Sequence, residues 1–236
     1  MPASDERRTV PNLGVSMKRV LAGKLVPKYS RLLDEINWNA HWLASVRVAG
    51  DVPRFTERSE LHSFISKTRC KGGTDPIDYL EFGVYEGDSI RMWSGLNTNP
   101  SSRFFGFDSF EGLPEDWPFR LRKGAFDTNG RLPDVGDSRV DFVVGWFQES
   151  LPRFMLSFEP RQKLVVHSDS DLFSSTLYLL ASLNSIIRPG TIIIFDDFNV
   201  SVDDYRALIS YGAAFNRKYE IIAATTGFSK AAIEII

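Results

Sequence analysis

At 236 residues, 43% hydrophobic and 25% charged, the chain has the make-up of an ordinary globular protein, one large domain or one domain with an appendage. A formal net charge of −2 gives no overall attraction to nucleic acid, although residues 1–50 hold eight Lys or Arg against four Asp or Glu, leaving the remainder at −6. The single Cys70 excludes an intramolecular disulfide, no run of 18 apolar residues is present to span a membrane, and the first residues lack a secretory apolar stretch, so a cytoplasmic protein is expected.

The first periodic segment, Tyr29 to Val46, carries Leu32, Leu33, Ile36, Trp38, Trp42 and Leu43 at helical spacing, and Thr56 opens a second helix through Leu61, Phe64 and Ile65. The turn-rich Gly72-Gly73-Thr74-Asp75-Pro76 then divides the chain into an N-terminal helical extension or lid, residues 1–72, and a main domain, residues 73–236. Strands are predicted at Ile77–Val84, Arg103–Asp108, Val140–Gly145, Lys163–Asp169, Thr191–Asp196, Tyr219–Thr225 and Ala231–Ile236, with helices at Ser89–Leu96, Ser174–Ile187 and Val202–Lys218 among the intervals. Phe110 to Gly136, rich in Pro, Gly and aromatics, is too long for an ordinary connection and reads as a functional loop or lid. Only Thr226 to Lys230 separates the last two strands, too few residues for a parallel crossover. The prediction is therefore an α/β sheet of seven strands, mostly parallel, closing with an antiparallel hairpin.

Chemistry gathers at strand ends. The runs Val165-Val166-His167-Ser168-Asp169-Ser170-Asp171 and Ile192-Ile193-Ile194-Phe195-Asp196-Asp197 each finish in acids, where open α/β sheets place their ligand crevice. Two carboxylates about 4 Å apart repel by roughly 4 kcal/mol at an effective dielectric near 20. Such a cluster wants a proton, a basic partner or a hard divalent cation such as Mg²⁺. The first strand runs into Glu81-Phe82-Gly83-Val84-Tyr85-Glu86-Gly87-Asp88-Ser89, a turn whose glycines let backbone approach a ligand. The next strand ends in Asp108, about 25 residues on, where an acid accepts hydrogen bonds from ribose hydroxyls, unless it caps its own turn through Ser109. Asp171 has a competing use as N-cap of the helix that follows, and Asp203 and Asp204 read as first-turn acids of theirs. His41 and His62 are expected to be structural or on the surface.

Five stretches in order, YLEFGVYEGDSI, FFGFDSFEGLPEDW, VVGWFQESLP, VVHSDSDLFSST and PGTIIIFDDF, cover most of residues 77–198. Through them the chain resembles the class I S-adenosylmethionine-dependent methyltransferases of the macrocin O-methyltransferase (TylF-like) family, with their Rossmann-like sheet. The resemblance implies that Glu81, Gly83 and Gly87, with Val84, Tyr85 and Ser89 of the same turn, surround the methionine part of the cofactor. It places Asp108 and Ser109 at the ribose, the Gly145-Trp146-Phe147 segment at adenine, and Asp169 beside the cofactor. It further implies Mg²⁺ held by Asp169, Asp196 and Asp197, with Asp169 the preferred proton acceptor and His167 the second candidate. Ser170, Phe173 and the Asp196-Asp197 pair depart from the usual pattern, in which relatives carry Gly or Cys, Tyr, and in some cases Asp-Glu. The acceptor implied is a sugar or glycosylated small molecule, with no nucleic-acid partner and a homodimer left open. The alternatives are a catechol-type phenolic acceptor, a nucleotide-cofactor oxidoreductase, and a non-catalytic S-adenosylmethionine-binding module.

Overall fold

The computed structural model describes residues 26–118 and 120–236. In chain order the elements are α1 (Val26–Val48), β1 (Arg54–Phe55), α2 (Arg58–Arg69), β2 (Ile77–Phe82), α3 (Asp88–Leu96), β3 (Arg103–Asp108), β4 (Val140–Val144) and α4 (Phe147–Met155). They continue with β5 (Lys163–Ser168), α5 (Phe173–Leu183), β6 (Ile192–Phe195), a π-helical turn at Ser201–Tyr205, α6 (Arg206–Phe215), β7 (Tyr219–Thr225) and β8 (Ala231–Ile235). None of the described helices is long and apolar enough to cross a membrane.

One sheet takes the order β1-β7-β8-β6-β5-β2-β3-β4. Every pairing is parallel except those of β8 with β6 and β7, so the expected terminal hairpin is present. The sheet has eight strands rather than seven. The addition is the two-residue β1, where Arg54 and Phe55 pair with Ala224 and Thr225 at the sheet edge. Two residues are too short to show a period-2 pattern, so this strand has no sequence signature. It also builds part of the N-terminal extension into the sheet.

Central strands are buried almost end to end because helices cover both faces, and β2 buries Asp78 and Glu81 among its apolar residues. All six residues of β2 are buried. On one face Leu80, Phe82, Val166, Ile193 and Phe195 pack with residues of α5 and α6, joined by Trp38, Trp42 and Val46 of α1. On the other, Tyr79, Val165, Ile192 and Ile194 pack with Leu61 and Ile65 of α2 and Ile90 and Trp93 of α3. Truncating one such side chain, Leu80→Ala for instance, costs about 2–5 kcal/mol.

The order of strands sets the position of the site. From β2 the chain winds outward to β3 and β4, then returns to lay β5 against the other side of β2. The βα connections diverge there, leaving a crevice beyond the carboxyl ends of β2 and β5. The long segment after β3 folds back across it, with Leu113 and Trp117 packed on Leu172 and Val200. Phe126 of that segment meets Tyr85 edge to face at 5.5 Å.

Candidate active site

β2 stops at Phe82, two residues before the predicted Val84, because Gly83 adopts φ +90°. A Cβ at Gly83 would run into the carbonyl oxygen of Asp169, so only glycine lets the ends of β2 and β5 meet so closely. The junction is pinned by hydrogen bonds from Gly83 N to Phe107 O and from Asp169 N to Phe82 O, both 2.9 Å. Beyond it Tyr85 sits at φ 50°, and Gly87, at φ 78°, starts α3 without a side-chain cap. The turn is held by Asp108, whose Oδ2 accepts from Val84 N (2.8 Å) and Tyr85 N (2.9 Å) and whose Oδ1 accepts from Phe110 N (2.8 Å). Asp108 thus caps its own turn, and it also lines the cleft.

The cleft beyond these strands encloses ≈ 950 Å³, counting space open to solvent. Gly83, Val84, Tyr85, Ser89, Asp108, Ser109, Trp146, Phe147 and Asp169 all line it, as do Arg58 and Asp171. Gly87 shapes the turn without lining the cleft.

Glu81 and His167 are placed differently from expectation. Both lie behind the cleft, 1% and 0% exposed, because the next-to-last residues of β2 and β5 point into the layer under α2 and α3. The Tyr79 hydroxyl donates to Glu81 Oε2 at 2.6 Å, and with its proton so used it accepts from His167 Nδ1 at 3.0 Å. His167 Nε2 is 3.5 Å from Asp196 Oδ1, and Lys230 Nζ is 2.5 Å from Asp196 Oδ2. Burial alone would push His167 down, but the carboxylates of Asp196 and Glu81, each 3.5 Å from a ring nitrogen, outweigh that and hold it up at about 10. Burial would likewise raise Asp196, yet His167 and Lys230 keep it far below the usual carboxylate range.

His62 completes this buried group, and its tautomer can be deduced. Trp93 Nε1, which can only donate, lies 2.7 Å from His62 Nδ1, so in the neutral ring the proton is on Nε2. Burial, followed by the nearby His167 charge, holds His62 well below its ordinary value and therefore neutral. His62, His167 and Asp196 have side-chain atoms within 4.8 Å of one another, but the unpartnered His62 Nε2 carries a proton rather than a free lone pair. The trio is a buried cluster of a neutral imidazole beside an imidazole–carboxylate ion pair.

A second group of acids gathers at the cleft, which Asp169 and Asp171 line. Asp169, Asp171 and Asp197 have carboxylate oxygens within 4.8 Å of one another. Asp197 turns toward them while its neighbour Asp196 turns to His167 and Lys230, since successive side chains at a strand end point to opposite sides. Asp171 does not cap α5. It occupies φ 61°, the N-cap position falls to Leu172, and Phe173 N donates instead to Asp203 Oδ1 at 3.2 Å. Asp203 also accepts from Trp117 Nε1 at 2.8 Å. Asp204 is fully buried, accepting from Thr176 Oγ1 (2.6 Å) and from Asp197 N (3.2 Å). These two acids thus brace the site rather than decorate a solvated helix start.

Crowding is visible in the proton affinities. Burial, then the Asp196 charge, raises Asp169 to about 7. Burial, then Asp169, raises Asp171 to about 9, and burial, then Asp196, raises Asp197. An all-oxygen set of three mutually repelling carboxylates has the donor chemistry of a hard divalent cation. Asp171 entered this set through an αL backbone that no local pattern announced. Arg58, 3.6 Å from Asp169 Oδ2 and 3.8 Å from Asp196 Oδ2, was also invisible in sequence, 111 positions before Asp169.

Residues 80–198, half of the chain, match the model of the methyltransferase domain family. The chain belongs to this family. The match is to the domain at large and does not single out a macrocin-type branch. Among curated proteins, the chain is 30% identical over 161 residues to 8-demethyl-8-(2,3-dimethoxy-alpha-L-rhamnosyl)-tetracenomycin-C 4'-O-methyltransferase of Streptomyces olivaceus, covering 56% of this chain and 58% of that protein. It is 29% identical over 162 residues to demethyldecarbamoylnovobiocin O-methyltransferase of Streptomyces niveus, covering 58% and 60%. The aligned part thus spans less than two thirds of either relative. Among solved structures, the O-methyltransferase NovP superposes with a TM-score of 0.56 at 22% identity over 75% of this chain and 78% of that one. CalS11, a calicheamicin methyltransferase, superposes at 0.55 with 17% identity over 99% and 98%. These methyltransferases share the fold.

Proposed function

We propose that the protein transfers a methyl group from S-adenosylmethionine to a hydroxyl oxygen of a sugar or glycosylated small molecule, assisted by a divalent cation. The observation that carries this reading is the acid trio Asp169, Asp171 and Asp197, of which Asp169 and Asp171 line the cleft and Asp197 stands beside them. The curated relatives support the acceptor class, since both are named as O-methyltransferases and one for a rhamnosyl substrate.

Bound in the cleft, the cofactor supplies a sulfonium-activated methyl group and takes the C–S electron pair as the new C–O bond forms. Gly83, Val84 and Tyr85 would present backbone to its amino-acid end, Asp108 would accept from a ribose hydroxyl, and Trp146 and Phe147 would flank the base. The substrate oxygen must approach in line with the C–S bond, and holding it there is worth several kcal/mol of barrier. Asp169, Asp171 and Asp197 would hold the cation, whose charge would lower the pKa of the reacting hydroxyl. Asp169 stands nearest the turn, is partly exposed to the cleft and accepts the proton. His167 serves at one remove, with its charge between Glu81 and Asp196 fixing the floor on which Asp169 rests.

The test is calorimetric titration of S-adenosylmethionine, S-adenosylhomocysteine and NAD, each with and without Mg²⁺, followed by mass spectrometry of glycosylated acceptors incubated with S-adenosylmethionine. Methylated sugar hydroxyls in the presence of Mg²⁺ and their absence with EDTA are the expected results. Binding of NAD alone sinks the reading.

A further inference from the structure

We propose that Arg58 is the residue that recognises the carboxylate at the methionine end of the cofactor, an inference that rests on the cofactor reading above. Among the described side chains lining the cleft, Glu86, Asp88, Asp108, Asp169 and Asp171 are acidic and Arg58 alone carries a fixed positive charge. That balance suits a ligand with an ammonium and a sulfonium. It leaves the ligand's one anionic group with a single charged partner.

The guanidinium is available for the task. It stands within ion-pair range of Asp169 and Asp196, at 3.6 and 3.8 Å, but both distances are too long for a hydrogen bond. Asp196 is already bonded to Lys230. No hydrogen bond to any described residue engages the donors of Arg58, and its side chain is 33% exposed. Five N–H groups in a planar fork, facing a cleft and unused, match a carboxylate in shape and in charge.

Its position is also firm. Arg58 is the first residue of α2, whose start is fixed by a capping box between Glu57 and Glu60. One turn on, Leu61, His62 and Ile65 are buried, and the Trp93 bond to His62 locks the rotation of the helix. The side chain is thereby held beside Asp169, whose carbonyl abuts Gly83. This is the end of the cleft opposite Trp146 and Phe147, two strands from Asp108 on the far side of β2.

The experiment compares two ligands on the full chain by calorimetry: S-adenosylhomocysteine, and 5′-methylthioadenosine, which keeps the adenosine and thioether but lacks the amino-acid end. Arg58→Ala should weaken S-adenosylhomocysteine by about 10- to 100-fold, the scale of a hydrogen-bonded charge, and leave 5′-methylthioadenosine within about two-fold. Retained 5′-methylthioadenosine binding also reports that the variant is folded. Arg58→Lys, which keeps the charge and loses the fork, should fall between wild type and Arg58→Ala for the first ligand only. Parallel losses for both ligands, or no loss for either, overturn the proposal. Wild-type protein that binds neither ligand overturns the cofactor reading beneath it, a result distinct from those two.

Discussion

Replacing Gly83 by alanine tests the close approach of β2 and β5 on which the whole cleft depends. At φ +90° a non-glycine residue is strained by about 1–3 kcal/mol, and the new Cβ meets the Asp169 carbonyl, a backbone atom that cannot swing aside. Forcing the strands apart adds roughly another 1–3 kcal/mol of overpacking. The sum, about 2–6 kcal/mol, is a large share of the ~5–15 kcal/mol that holds a domain together. At roughly 2–4 °C per kcal/mol for a chain of this size, Tm should drop by about 5–20 °C. Because the moving atom belongs to Asp169, S-adenosylhomocysteine affinity should fall as well. Gly95→Ala is the matched control: it lies in α3 with nothing within 4 Å of its added Cβ, and should be neutral or slightly stabilising. Scanning calorimetry and ligand titration on both variants decide the matter. A Gly83→Ala protein that melts within 1 °C of wild type and binds S-adenosylhomocysteine normally would refute the packing argument.

Asp197→Ala should abolish turnover, read by mass spectrometry of the acceptor, while S-adenosylhomocysteine affinity stays within a few fold; a large loss of binding would place the acid trio in the wrong half of the cleft. Chelation with EDTA should reproduce that split between turnover and binding in the wild-type protein, and undiminished turnover would remove the cation from the mechanism. Trp93→Phe deletes the donor to His62 Nδ1 and leaves a buried acceptor unpaired, so urea denaturation should show a loss of about 1–3 kcal/mol; an unchanged midpoint would contradict the tautomer assigned to His62. The hydrogen bonds from Arg139 hold the Asp137 carboxyl below its ordinary value. Their contribution is complete above the ordinary carboxylate pKa and is lost as pH falls through the depressed folded value. Asp137→Asn should accordingly lower stability at neutral pH and shrink its deficit in acid, and a pH-independent deficit would count against the linkage.

The parallel strands were legible because central strands of a doubly covered sheet are dominated by apolar residues, as Ile192–Phe195 is throughout and Ile77–Phe82 is apart from Asp78 and Glu81. The terminal hairpin followed from the shortness of Thr226–Lys230, and the turn at Gly83 from a glycine placed directly after a strand. What escaped is equally specific. The strand Arg54–Phe55 exists only because β7 offers it an edge. The helix expected from Val202 begins in a π-helical turn, because Asp203 and Asp204 are drawn inward to Trp117, Thr176 and the Asp197 backbone.

Local sequence therefore determined which residue types reach the carboxyl edge of the sheet: hydrophobic runs set the strands, and acids follow directly at their ends. Only tertiary structure sorted those acids. Asp196 and Asp197 are neighbours in the chain, yet one answers to His167 and Lys230 and the other to Asp169 and Asp171. Their partners arrive from β5, β8 and the loop after β5, and Arg58 is brought to them by the docking of α2. Side-chain direction at a strand end is local, but the charge a side chain meets there is set by which distant segments pack against it.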